Sequence, residues 1–131
     1  MNPAELLYAK THEWVSVSEA EGDKIATVGI SAFAVEQLTD LVYVELPQVG
    51  KSVTAGDSIG EIESVKAVSD FYSPVTGEII AVNSELAEKP EILNGDPYSN
   101  GWIAKIRIAD DSTLSDLMDQ SAYEKQCESE A

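Results

Sequence analysis

Between residues 13 and 108 the chain is a succession of short extended runs, each broken within a few residues by Gly, Pro, Asn or Asp, and this punctuation points to a mainly β fold. Residues 13–18 and 24–29 alternate apolar and polar side chains, and Ala20-Glu21-Gly22-Asp23 between them is a turn, so the two read as a hairpin. Residues 41–46 are the next strand, ended by Pro47 and Gly50. Residues 58–64 alternate again, and 67–72 resume the extended character. A turn at Pro74 leads into a strand ending near Asn83, and 103–108 is the last clear strand. Ser31 ahead of Phe33, Val35 and Leu38 predicts a short helix near 31–38. Beyond residue 110 the spacing turns helical at Leu114, Leu117 and Met118, a second short helix is expected over 121–127, and 128–131 are expected to fray. Residues 1–131 thus read as a single domain with a C-terminal helical segment at about 112–127.

A chain of 131 residues with 44% hydrophobic side chains buries about two-thirds of its unfolded surface and folds without a metal or a disulfide. One cysteine, Cys127, excludes an internal disulfide framework and any multi-cysteine metal site, so no metal is expected and the compartment is expected to be reducing. Lys and Arg total 8 against 24 Asp and Glu, a formal charge of −16. Such a surface repels phosphate backbones and anionic lipid heads, which argues against nucleic acid and membrane partners. It serves solubility, and it also suits docking to basic patches on larger proteins. There is no run of 18 or more apolar residues, and residues 1–7 lack the basic and apolar regions of a signal peptide. A bacterial cytoplasmic protein is expected; the alternative is a mitochondrial matrix protein with its presequence removed.

The stretch 56–68 carries the chemistry. Two strand-like runs meet near Lys66, its only cation. A lysine at a hairpin tip is presented to solvent by the strands that flank it, and Val65 and Ala67 leave it sterically open. The plain alternative is an edge charge that discourages aggregation. Glycine-containing turns on both sides, at 49–57 and 73–79, weigh against it, because they suggest two matched halves around the lysine.

This segment resembles the carrier domains that bear lipoyl or biotinyl groups. Biotinyl domains usually flank the lysine with Met, and lipoyl domains of 2-oxoacid dehydrogenases read Asp-Lys-Ala. Glu63-Ser64-Val65-Lys66-Ala67 resembles instead the glycine cleavage H proteins. The resemblance continues through His12-Glu13-Trp14-Val15, Val28-Gly29-Ile30-Ser31, Val44-Glu45-Leu46-Pro47, Val68-Ser69-Asp70, Gly77-Glu78-Ile79, Asn94-Gly95-Asp96-Pro97-Tyr98 and Gly101-Trp102-Ile103, over roughly residues 6–126. Gly95 and Ile103-Ala104 depart from the usual residues, away from the lysine.

The resemblance implies a barrel-sandwich hybrid of antiparallel sheets and lipoic acid in amide linkage to Lys66. It implies a shuttle, not an enzyme: the arm takes the aminomethyl group of glycine at a pyridoxal-phosphate decarboxylase and yields its carbon to tetrahydrofolate at an aminomethyltransferase. Dihydrolipoamide dehydrogenase then reoxidises the dithiol. The expected partners are these three and a lipoylating enzyme, with the carrier itself a monomer. Tethering raises the effective concentration at each partner site. Two other readings stay open: a relay that passes lipoate to 2-oxoacid dehydrogenases, and an unmodified acidic binding module.

A loaded arm ends in a cationic amine, and its protection calls for acceptors on the carrier's own surface. Glu13 lies in the motif resembling the family's arm-binding segment, and Thr11 matches a position where relatives carry Ser. Asp70 is four residues past Lys66, about 13 Å along an extended strand, within reach of a folded-back arm. The alternative for both acids is solvated surface charge. His12, the only histidine, is weighed as a packing residue against an arm contact, and Trp14, Tyr98 and Trp102 as packing residues. Cys127 lacks the cationic neighbourhood of a reactive thiol, with only Lys125 near it in sequence.

Overall fold

The computed structural model describes residues 5–130, for 110–113 the backbone alone. β2 (Glu13–Ala20) and β3 (Asp23–Ile30) form the expected hairpin, joined by Glu21 and Gly22 only. Both loop residues have positive φ, 54° and 85°, the handedness that matches the twist of paired strands. β3 pairs with β9 (Ala104–Asp110), β9 with β8 (Thr76–Val82), and β8 with the two-residue β5 (Ser52–Val53). At the other edge β1 (Leu7–Tyr8) pairs with β2, giving an antiparallel sheet ordered β1-β2-β3-β9-β8-β5. The second sheet contains β4 (Leu41–Glu45), β6 (Ser58–Ser64) and β7 (Val68–Tyr72), ordered β4-β6-β7 and again antiparallel. The sheets face each other in the barrel-sandwich manner without closing into a barrel.

Between them sits the main core. Val15, Val28, Ile79 and Ile106 come from the larger sheet, and Val44, Ile62 and Phe71 from the smaller. The expected helix is present as α1 (Ala32–Leu38), with Ser31 Oγ accepting from Ala34 N–H at 3.2 Å as its N-cap. Val35, its one buried side chain, joins this core.

Trp14 points away from that core, one residue out of phase with Val15, yet it is fully buried. A second cluster of Leu6, Tyr8, Trp14 and Tyr123 explains it: Tyr8 of β1 lies on the same face as its cross-strand partner Trp14, and α4 (Gln120–Glu130) packs onto that face. Tyr8 and Tyr123 stack with ring centroids 4.5 Å apart, and Trp14 Nε1 donates to Pro97 O at 2.9 Å. Gly29 is required beneath Trp14, since a Cβ there would lie 2.7 Å from the indole.

Some elements differ from expectation. β1 and β5 are too short for alternation to show. Two single-turn helices, α2 (Glu85–Glu88) and α3 (Ile92–Gly95), have no capping side-chain bond and are held by burying Leu86 and Leu93. The helical spacing after residue 110 is a 3-10 helix, Asp111–Asp116. α4 is longer than expected and continues to Glu130 where fraying was expected, because its last turns are tied to the loop before β2. Gln126 Nε2 donates to Lys10 O at 2.8 Å, and Glu130 meets His12. Ala131 lies outside the described residues.

Candidate functional site

β6 and β7 are in register through Glu63 and Val68, which leaves Ser64-Val65-Lys66-Ala67 to reverse the chain. Ser64 builds this turn. Its N–H donates to Ala67 O at 2.8 Å, and its buried hydroxyl accepts from the N–H groups of Lys66 at 3.3 Å and Ala67 at 3.0 Å. Val65 N–H donates to Asp40 O at 3.1 Å, anchoring the turn to the loop after α1. That loop is itself braced. Asn94 Nδ2 donates to Thr39 O at 2.7 Å, its Oδ1 accepts from Leu41 N–H at 3.1 Å, and Thr39 holds a φ of 68°. The backbone of the tip is fixed from inside, and Val65, Lys66 and Ala67 stand exposed.

Beside β7 is a cavity of about 270 Å³ lined by Thr11, Glu13 and Asp70, so the three candidate acceptors share one space. Ile30, Phe33, Leu38 and Ile62 supply apolar lining, and His12 and Glu130 also line it. Glu13 is almost wholly buried. The Thr11 hydroxyl donates to its Oε1, and Tyr72 N–H donates to its Oε2 at 3.2 Å. Burial pushes its carboxyl up to about 7 against these two bonds, which hold the charged form. Asp70 is exposed and accepts from the Tyr72 hydroxyl at 3.3 Å. Glu13 is therefore a desolvated acid poised near neutrality, and Asp70 a hydrated one.

His12 has a φ of 78°. Its Nδ1 lies 2.6 Å from the Tyr123 hydroxyl, which also meets Ser31 Oγ at 2.5 Å, and its Nε2 lies 3.2 Å from Glu130 Oε1. These contacts tie the loop before β2 to α4 through both ring nitrogens of His12. A bond from Gln126 and the neighbouring His12 hold the Glu130 carboxyl below the usual range. Burial raises the Cys127 thiol, in keeping with an unreactive side chain. Sequence reasoning did not single out Ser64, Asn94, Tyr123 or Glu130. Ser64 carried a local signal, a hydroxyl three residues before the end of a turn; the other three act over long sequence distances that no local pattern marks.

A small pair of facing sheets that presents one braced lysine turn, with a half-polar cavity beside β7, has the form of a small carrier domain. The comparisons narrow the class. A family profile described as "Glycine cleavage H-protein" matches residues 6–130. The chain is 55% identical over 126 residues to the glycine cleavage system H protein of Rhodopirellula baltica, covering 96% of this chain and 95% of that protein. It is 52% identical over 128 residues to that of Escherichia coli, covering 98% and 97%. A crystal structure of a glycine cleavage system H protein from Mycobacterium marinum superposes with a TM-score of 0.82 at 38% identity, covering 95% of this chain and 98% of that one. The chain belongs to the glycine cleavage H-protein family. It is the lipoyl-carrying shuttle component of the glycine cleavage system and not itself an enzyme.

Proposed function

We propose that Lys66 is the point of attachment of lipoic acid, joined as an amide to Nζ, and that the cavity of Thr11, Glu13 and Asp70 holds the loaded arm between deliveries. The observation that carries this reading is the pairing of an exposed, internally braced lysine turn with a buried acid in a cavity beside β7, the strand that leaves the turn. Once bound, lipoate supplies a disulfide that takes up the aminomethyl group of glycine and later releases it. The chain's own residues do the rest. Ser64 and Asp40 hold the turn so that Nζ extends from the surface. Ile30, Phe33, Leu38 and Ile62 accept the hydrocarbon part of an arm and exclude water from it.

Glu13 and Asp70 distinguish a cationic end from a neutral one. A primary amine near Glu13 favours the charged carboxylate and draws its pKa down from about 7, so the ion pair forms only when the load is present. Charge-assisted bonds are worth roughly 1.5–3 kcal/mol each, enough to favour the docked arm by tenfold or more. The partners on this reading are glycine decarboxylase, aminomethyltransferase, dihydrolipoamide dehydrogenase and a lipoylating enzyme, met by a monomeric carrier. The bacterial relatives favour a bacterial cytoplasm over a mitochondrial matrix.

Two measurements test it. Intact mass after co-expression with a lipoylation system should rise by one lipoyl group, and Lys66→Arg, which keeps the charge without an acylable amine, should gain none. A lipoyl mass on the arginine variant would place the attachment elsewhere. Spontaneous ammonia loss from the loaded carrier should quicken in Glu13→Ala and Asp70→Ala, by tenfold or more at Glu13. Equal rates in all three proteins would leave the arm free-swinging.

A further inference from the structure

Three carboxylates line the cavity that holds Thr11 and Glu13, and one of them, Glu130, comes from neither sheet. It ends α4, whose last turn contains no basic side chain. The helix dipole leaves that end negative, so an acid there costs stability instead of adding it. Its place is nevertheless fixed. Gln126 Nε2 donates to Glu130 Oε2 at 2.9 Å and to Lys10 O at 2.8 Å, so one amide ties the acid to its own helix and to the loop before β2. Oε1 lies 3.2 Å from His12 Nε2, and the His12 ring packs against Phe33 with centroids 5.2 Å apart. His12 and Phe33 also line the cavity, so the helix end, the loop and α1 make one wall. A carboxylate offers about four lone-pair sites, and these two contacts leave room for a further donor on a side chain that is 44% exposed. The Gln126 bond, and then His12, hold the Glu130 carboxyl below the usual range, whereas burial holds Glu13 near 7. Near neutrality the exposed acid is therefore charged while the buried one is still partly protonated.

On the reading that Lys66 carries lipoate and that this cavity receives the arm, we propose that Glu130 is a specificity-determining residue, which pairs with the ammonium end of the loaded arm at the α4 wall. An ammonium entering the cavity meets a full negative charge at Glu130 before Glu13 has ionised. Its field then draws the proton off Glu13, and both acids hold it. Disulfide and dithiol ends have no positive charge for Glu130 to pair with, so the helix end sorts loaded arms from unloaded ones. Glu130 thereby adds an acceptor to Asp70 from a different element of the fold. The ammonium competes with His12 for Oε1, so the imidazole senses its arrival.

The experiment uses the full lipoylated chain, unloaded and loaded, as wild type, Glu130→Gln, Glu128→Gln and Glu13→Ala. Glutamine at 130 keeps the length and an acceptor for Gln126 and removes the charge. Glu128→Gln removes the same charge from an exposed position on α4 that does not line the cavity. His12 is the only histidine, so its imidazole nitrogen-15 signals identify themselves. Loading should shift them in wild type and in Glu128→Gln, and by about half as much or less in Glu130→Gln. Spontaneous ammonia loss from the loaded carrier should quicken about two- to fivefold in Glu130→Gln, the scale of a half-exposed ion pair, and keep the wild-type rate in Glu128→Gln. A wild-type rate and a full His12 shift in Glu130→Gln, with Glu13→Ala still fast, would overturn the role of Glu130 and leave the cavity standing. Faster loss with an unaltered His12 shift would also overturn it, because the charge would then act without contact. Equal effects of Glu128→Gln and Glu130→Gln would do the same, since general surface charge would then suffice. A wild-type rate in Glu13→Ala as well would instead remove the reading of the cavity beneath it.

Discussion

At position 13 the chain sets a carboxyl where little water reaches it, and the consequence is a measurable pH dependence. Burial raises Glu13 from an ordinary 4.5 to about 7. Between those values the folded chain keeps a proton that the unfolded chain has released, so stability falls as pH rises through that window. Urea unfolding of the unloaded wild type should therefore lose about 1–3 kcal/mol between pH 4.5 and 7, and Glu13→Gln should lose much less. Identical slopes in the two proteins would mean that Glu13 ionises freely in the native state. Nothing in the alternation of residues 13–18 marks Glu13 as buried, since it looks like the polar neighbour of Trp14. It and Thr11 were reached through a motif resemblance, and Asp70 through its reach from Lys66. Ser64 could have been read from turn chemistry. Glu130 could not, because its place depends on α4 lying across the loop before β2.

Among the elements, those whose own side chains carry the period were legible. The β2–β3 hairpin, α1, β6 and β7 declare themselves by alternation, a cap or a turn. β5, α2 and α3 are defined instead by what they pack against, and a two-residue strand has no period to read. One of these less legible elements braces the lysine. Asn94 of α3 spans Thr39 and Leu41, and Asp40 between them accepts the bond from Val65. Asn94→Ala removes two bonds worth about 0.5–1.5 kcal/mol each, and that loss falls on a loop already holding a left-handed residue. The Val65 amide should exchange about tenfold faster or more in this variant. Amides in the centre of the β3–β9 pairing should change only as far as global stability does. Hydrogen exchange followed by NMR separates the two, and an unchanged Val65 rate would show that the turn stands without Asn94.

For the whole molecule the governing quantity is a formal charge of −16 on 131 residues. Charge of this size acts beyond any contact surface, drawing basic partner faces in before side chains touch and raising association rates, in steered systems by about 10–10³-fold. Its range is set by salt, since the Debye length falls from about 30 Å at 0.01 M to about 10 Å at 0.1 M. A shuttle must leave each partner as readily as it arrives, and long-range attraction suits that need because it speeds encounter without adding short-range bonds to break. The signature is a split between two kinetic constants. With carrier below saturation, turnover by the partner enzymes depends on encounter and should fall about three- to tenfold between 0.01 and 0.1 M salt. At saturating carrier, turnover no longer depends on encounter and should stay nearly constant. Reversing several exposed acids outside the lysine turn and its two strands, such as Glu19, Glu85 and Glu88, should flatten the first profile and leave the second alone. A flat profile in the wild type would assign the negative charge to solubility and leave docking to the local surfaces around the lysine turn.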